Sequence, residues 1–349
     1  MPGKLEGQKV IVEDEKEGNR LYNKGYFGKP LSGGGLELDL LETIYLIEAE
    51  RLNITDKDGE NISKETLMEK AVEIDDRSDI IYPVYRDMRL RGYVLKEASD
   101  PADFRVFPRG GGPGKTPSKY WLKASLETDT FSIKKIEEMH NIIGKLNKKM
   151  IIGLLDLEGD VTYYNLSTLV VNGKMGKYDG QEIKGTLHGY KCMIDENETN
   201  IYDDLFFGNK IDKKIEISLL ESLYLMESGH LKIREESSDS YITIDELKKF
   251  ATNKDDNFKL KYNIYKHLRD NDMIPKTGFK YGTAFRCYKG DPDDHHAEYI
   301  IEPVPKDFTT SWYNISKSVR VAHSVKKTFI YARQKNDKPV YFRIKRLTP

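Results

Sequence analysis

Apolar positions along this chain alternate between two periods. Leu40, Leu41, Ile44, Tyr45 and Ile47 recur at helical spacing, which predicts an amphipathic helix with one face turned to a core. Thr243-Ile-Asp-Glu246 reads as a capping box, its Thr and Glu placed to satisfy open N–H groups at a helix start, and Ser63 occupies the matching position upstream. Further helices are expected over residues 81–92, 262–271 and roughly 316–326. Around them the period drops to two. Residues 283–288, 299–304, 328–332 and 340–344 alternate apolar and polar side chains, as strands with one buried face do. Short strands followed by helices, then a helix followed by strands, predict an α+β protein.

The whole pattern occurs twice. Leu36-Glu-Leu-Asp-Leu-Leu-Glu-Thr-Ile-Tyr-Leu-Ile-Glu returns as Ile215-Glu-Ile-Ser-Leu-Leu-Glu-Ser-Leu-Tyr-Leu-Met-Glu, 179 residues later. Tyr82-Pro-Val-Tyr85 returns as Tyr262-Asn-Ile-Tyr265 at 180, and Phe104-Arg-Val-Phe107 as Phe285-Arg-Cys-Tyr288 at 181. Offsets this constant define a tandem duplication. Each repeat divides into an N-terminal α/β subdomain (1–78 and 185–258) and a C-terminal mixed-sheet subdomain (79–168 and 259–349). A joint rich in Gly, Asn and Lys (169–184) connects them.

Aligning the repeats isolates the chemistry. Where repeat two has Tyr288, repeat one has Phe107; where it has His296, repeat one has Pro117. Arg320, three residues before His323, aligns with Glu137, three before His140. Lys327 faces Lys149, or Gly144 if repeat one carries a four-residue insertion. A phenol, an imidazole and an ammonium group are a base, an acid and an anion stabiliser, the set that cleaves RNA without metal. Catalysis is therefore expected in repeat two.

Bulk composition adds little. The 349 residues carry a formal net charge of −1, 38% hydrophobic and 32% charged residues, so any basic surface must be local. One such stretch exists: residues 317–349 hold ten Lys or Arg against one acid, whereas 132–168 hold five of each. With Phe329, Tyr331, Tyr341 and Phe342 interleaved, this reads as a phosphate-backbone binder. Cys192 and Cys287 are too few for a disulfide framework or a zinc knuckle. The opening MPGKLEGQKV has no apolar run, and no stretch approaches the ~20 apolar residues of a membrane helix. A cytoplasmic protein, free of membrane, is expected.

The motifs YGxxFRxY (Tyr281 to Tyr288), HxEY (His296 to Tyr299) and RxAHSVxK (Arg320 to Lys327) closely resemble the catalytic region of the archaeal tRNA-splicing endonucleases of the two-repeat homodimeric type. The resemblance implies a nuclease-like C-terminal subdomain, precursor tRNA as substrate and no cofactor. It assigns Tyr288 as general base, His296 as general acid (His295 being the adjacent alternative) and Lys327 as electrostatic stabiliser. The products would carry 2′,3′-cyclic phosphate and 5′-hydroxyl ends. Lys327 is expected to lower the Tyr288 pKa by favouring phenolate. The resemblance further implies cleavage at bulge–helix–bulge junctions, with a flipped base held between Arg320 and Arg343, Arg346 competing for the second place. The acidic turn Asp156, Glu158 and Asp160 would dock into a basic pocket of the partner chain in a homodimer; its repeat-two equivalent spans 333–338.

Two other readings are open. A non-catalytic RNA-binding subunit would look like repeat one, without Tyr, His and Arg. A metal-dependent nuclease would use Asp291, Asp293, Asp294, His295 and His296, all in one loop. The glycine clusters at 33–35 and 110–114 match neither dinucleotide nor P-loop patterns.

Overall fold

The computed structural model describes residues 3–236, 240–335 and 338–349. Each N-terminal subdomain is a five-stranded sheet carrying short helices. Repeat one uses Gly3–Glu6, Lys9–Val12, Lys29–Pro30, Leu36–Leu38 and Ile54–Thr55. Repeat two uses Ile183–His188, Lys191–Asp195, Asn209–Ile211, Lys214–Ser218 and Leu231–Glu235, in the same spatial order. The amphipathic helix falls at Leu40–Glu48, capped by Asp39, which accepts from the Glu42 N–H at 2.7 Å. Leu40, Ile44 and Leu46 are buried, while Leu41, Tyr45 and Ile47 pack on the same core. Its counterpart Leu219–Glu227 starts with a capping box of Ser218 and Glu221, and Ile244–Lys254 starts with that of Thr243 and Glu246.

The C-terminal subdomains do not stand apart. Strand Val161–Leu169 of repeat one pairs antiparallel with Val340–Leu347 of repeat two, from Tyr163 opposite Leu347 to Leu169 opposite Tyr341. The two five-stranded halves thereby fuse into one ten-stranded sheet with that pair at its centre. Each strand would otherwise be an exposed edge, and the fusion removes both. Helices Ser78–Leu90 and Phe258–Asp270 pack on one face. Ile133–Lys145 and Trp312–Ser324 pack on the other, over one apolar core drawn from both repeats. Phe131 meets Trp312 edge-on at 5.1 Å between ring centres, and the short strands Thr130–Ser132 and Thr309–Ser311 pair across the seam. Polar contacts cross it too. The Tyr164 hydroxyl lies 2.7 Å from Ser316 Oγ, and buried Glu137 pairs with Arg333 and with Lys335.

The second repeat's helix begins four residues earlier than the pattern predicts. Ser311 caps it, and Trp312 and Ile315 extend the buried stripe of Val319 and Ala322. The same latch joins each N-terminal subdomain to its sheet. Lys96 donates to Gly28 O and Glu42, and Lys276 to Gly208 O, each at 2.8 Å. Arg89 covers the Phe27 ring, and Arg269 the Phe207 ring, at 3.9 Å.

Candidate active site

Strand register assembles the site. Cys287 stands opposite Tyr299, and Tyr299 opposite Thr328, forming one row across three adjacent strands. Tyr288 follows Cys287, His296 precedes Tyr299 by three residues, and Lys327 precedes Thr328. All three therefore emerge at the same end of the sheet. Neighbouring strands lie about 4.8 Å apart, so the backbone positions span about 10 Å. The row is tied by Glu298 N–H to Cys287 O at 3.1 Å, Thr328 N–H to Glu298 O at 2.9 Å, and Lys289 N–H to the Glu298 carboxylate at 3.1 Å. Lys327 is set by its N–H to Ala322 O at 2.8 Å, where the helix ends.

Tyr288 is buried in a small cluster with Ile274 and Ala297, on which Met175 and Phe206 pack. Ala297 is the residue next to His296, whose own side chain is exposed. Met175 belongs to the segment joining the repeats. That segment is pinned here by Gly173 N–H to Asn271 O, Lys174 N–H to Lys289 O and Met175 N–H to Asp272 O, at 2.7–3.0 Å. A Cβ on Gly173 would lie 1.8 Å from Asp272 O, so this close approach needs glycine.

Electrostatics correct one expectation. Burial pushes the Tyr288 phenol up from its ordinary value; Arg286, whose guanidinium sits 5.7 Å from the ring centre, pulls the other way, and Tyr281 and Asp293 add to the rise. The ring that Lys327 faces is Tyr281, with the ammonium 5.7 Å from its centre. Tyr281 and Arg286 thus belong to the surroundings of Tyr288, which sequence patterning did not single out. Their signal was available in YGxxFRxY, whose first tyrosine and arginine have no counterpart role in a plain strand.

The repeat comparison is also revised. Tyr120 stands opposite Lys149 as Tyr299 stands opposite Thr328, so Lys148 is the counterpart of Lys327. Helices Ile133–Lys145 and Trp312–Ser324 are equal in length and capped by Ser132 and Ser311. No insertion separates them, Asn141 corresponds to Arg320, and His140 does not correspond to His323. Lys148 is tied to Ser118 O at 2.8 Å. Phe107, at the place of Tyr288, is equally buried.

Arg320 is exposed on its helix. Arg343 lies opposite Ile330 and Ser167 and donates Nε to Ser167 Oγ at 3.0 Å. Directly opposed residues share a face, and Ile330 belongs to the core under Phe258–Asp270. Arg343 is therefore on the sheet face opposite to Arg320. Arg346, opposite Tyr164, is on the face that Arg320 shares. One of the ten cations in 317–349, Arg333, is buried against Glu137, and the exposed Lys335 pairs with the same carboxylate.

Asp156, Glu158 and Asp160 form the hairpin turn after Lys149–Leu155. Asp156 Oδ1 accepts from the Glu158 and Asp160 N–H groups at 3.0 and 2.9 Å, leaving Glu158, Asp160 and Leu157 exposed. In the equivalent 333–338 turn, Asn336 and Asp337 lie outside the described residues. In the Asp291 to His296 loop, Asp291 accepts from Asp293 N–H at 2.7 Å. Among the described residues, no three His, Cys, Asp or Glu side chains group as metal ligands do. No described helix is long and apolar enough to cross a membrane.

A duplicated α+β chain with a Tyr, His and Lys set at one end of a shared sheet defines a nuclease-like architecture, and comparison gives it a family. The tRNA intron endonuclease catalytic C-terminal domain matches residues 78–163 and 258–342, and the N-terminal domain matches 1–68 and 183–248. The chain belongs to the tRNA intron endonuclease family. It is similar to the tRNA-splicing endonucleases of Methanosarcina barkeri (31% identical) and Methanosarcina acetivorans (32%), with 99% of each chain covered, and to that of Natronomonas pharaonis (26%, 95% of each).

Proposed function

We propose that this protein excises introns from precursor tRNA by metal-independent transesterification at bulge–helix–bulge junctions. The observation that carries the reading is the Cys287–Tyr299–Thr328 row, which brings Tyr288, His296 and Lys327 to one sheet end in repeat two alone. The ribose 2′-hydroxyl loses its proton toward Tyr288 and its oxygen attacks the adjacent phosphorus. The P–O5′ bond breaks as His296 protonates the departing oxygen, and Lys327 offsets charge on the phosphorane. The 2′,3′-cyclic phosphate and 5′-hydroxyl follow from that bond change. Dependence on the 2′-hydroxyl also discriminates RNA from DNA.

Arg320 takes one side of a flipped bulge base, since a guanidinium plane stacks where a lysine does not. Face parity favours Arg346 over Arg343 as its partner within one chain. The exposed Asp156 to Asp160 turn docks on a second copy, giving a homodimer whose two sites serve the two symmetric bulges. The test is cleavage of a labelled bulge–helix–bulge RNA in EDTA by wild type and His296→Ala. Two cuts with cyclic phosphate ends, slowed at least about a hundredfold in the variant, support the reading. Cleavage only with added divalent metal moves the chemistry to the Asp291 to His296 loop. Binding without cleavage makes the chain a scaffold.

A further inference from the structure

Strands Ile274–Thr277 and Phe285–Tyr288 are joined by a turn, Gly278-Phe-Lys-Tyr-Gly282, that presents a large apolar ring to water. Phe279 is 86% exposed, and among the described large hydrophobics only Val170 is more open. The turn is well defined. Gly278 N–H bonds Ala284 O at 3.0 Å, Tyr281 N–H bonds Gly278 O at 2.8 Å, Gly282 N–H bonds Phe279 O at 3.0 Å, and Phe279 N–H reaches Thr277 Oγ1 at 3.3 Å. Gly278 is packed so that a Cβ would lie 2.5 Å from Thr283 Oγ1, and Gly282 holds a positive φ of 69°. A ring held in water by a fixed backbone is preorganised for a ligand, since little ordering entropy remains to be lost on contact.

Location decides which ligand. Tyr281, two residues on, packs into the core beneath the Trp312–Ser324 helix and carries Lys327 over its ring. Register starts the turn at the strand end away from Tyr288, but the turn reaches back far enough for Lys327 to face the Tyr281 ring, and Phe279 is carried on it two residues earlier, next to the exposed Lys280. Repeat one offers an internal control. Its corresponding turn, Ala98-Ser-Asp-Pro-Ala-Asp103, has no aromatic residue and two acids. The aromatic turn occurs only in the repeat that has the reactive set. An apolar ring beside cations suits a nucleobase, whose face stacks while its phosphate is neutralised.

We propose that Phe279 is a stacking platform for an unpaired RNA base beside the scissile phosphate, a substrate-positioning residue outside the acid, base and arginine contacts. The inference rests on the RNA-cleaving reading. Fixing the base fixes the ribose, and with it the line of 2′-oxygen, phosphorus and 5′-oxygen on which the displacement depends.

The test uses the full chain and the same labelled precursor RNA in EDTA. Phe279→Leu keeps an apolar side chain without a π-face, and Phe279→Trp keeps the π-face. The leucine variant is expected to weaken RNA binding or slow single-turnover cleavage about tenfold, at unchanged melting temperature because the ring is exposed. The tryptophan variant stays within about twofold of wild type, and its indole emission is quenched by RNA; Trp121 and Trp312 are buried and give a steady background. Wild-type behaviour of Phe279→Leu, or indole emission indifferent to RNA, overturns the platform. If wild type binds the RNA without cutting it while the indole is quenched, the endonuclease reading fails and the positioning role with it, and only base stacking on position 279 stands.

Discussion

Removing one hydroxyl, in Tyr288→Phe, separates chemistry from stability. The repeats already contain the experiment, because Phe107 fills the same place in repeat one at 6% exposure against 8% for Tyr288. Among the described residues the Tyr288 hydroxyl has no hydrogen-bond partner, so its loss forfeits none, and the fold should keep its stability within about 0.5 kcal/mol. A positioned acid–base group contributes about 10²–10⁴ in rate, which is about 3–5 kcal/mol of transition-state stabilisation. The expected result is therefore a large kinetic loss at unchanged melting temperature, read by single-turnover cleavage in EDTA beside a thermal melt. Because burial raises this phenol above its ordinary value near 10, phenolate is below about one part in a thousand at pH 7. In wild type the need for a protonated general acid opposes this dependence, so the slope is read in His296→Ala, where a phenolate base demands log rate rising with unit slope up to at least about pH 10. Cleavage by Tyr288→Phe within threefold of wild type would refute the role of the hydroxyl. In His296→Ala, where the opposing dependence of the acid is removed, a flat profile between pH 7 and 10 would refute phenolate as the base.

Other outcomes follow from the seam and the charge network. Glu137→Ala leaves Arg333 buried without its carboxylate and should cost about 3 kcal/mol; a melting temperature within 1 °C of wild type would contradict the pairing across the seam. At Glu227, burial pushes the carboxyl up, but hydrogen bonds from Lys248, Lys266 and Tyr262 hold it at about 2. A depressed folded pKa gives stability that is present above pH 4.5 and lost as pH falls toward 2, about 1–2 kcal/mol here because the partly exposed Lys248 and Lys266 are screened by solvent. Glu227→Gln should therefore be less stable than wild type at pH 7 and equal to it near pH 2, as urea melts at both pH values would show. Lysine at positions 156, 158 and 160 should yield inactive monomers, and elution as a dimer in sizing chromatography would contradict the docking role of that turn.

Much of this protein was written in local pattern. The duplication, the α+β alternation and the helix starts at Ser63 and Thr243 depend on side-chain periodicity and capping, which act within a few residues. The meeting of Tyr288, His296 and Lys327 at one sheet end was legible for the same reason, since each flanks a strand whose alternation is plain. Helix 312–324 was misplaced at its start because Trp312 and Ile315 are buried by repeat one, a contact that no local window contains. The repeat alignment was displaced separately, by matching Arg320 and His323 to Glu137 and His140 on their shared spacing, giving Glu137 and Lys149 where the fold has Asn141 and Lys148. The fusion of the halves through Val161–Leu169 and Val340–Leu347 was not readable at all: it is made by backbone hydrogen bonds between strands 178 residues apart, and backbone groups carry no residue code. Strand pairing with Ile330 and Tyr164 decides which faces Arg343 and Arg346 occupy, and burial is the largest cause of the rise of the Tyr288 phenol. Sequence determined which groups the site contains; tertiary structure decided their sides, their neighbours and their proton affinity, because those depend on what is packed across the sheet.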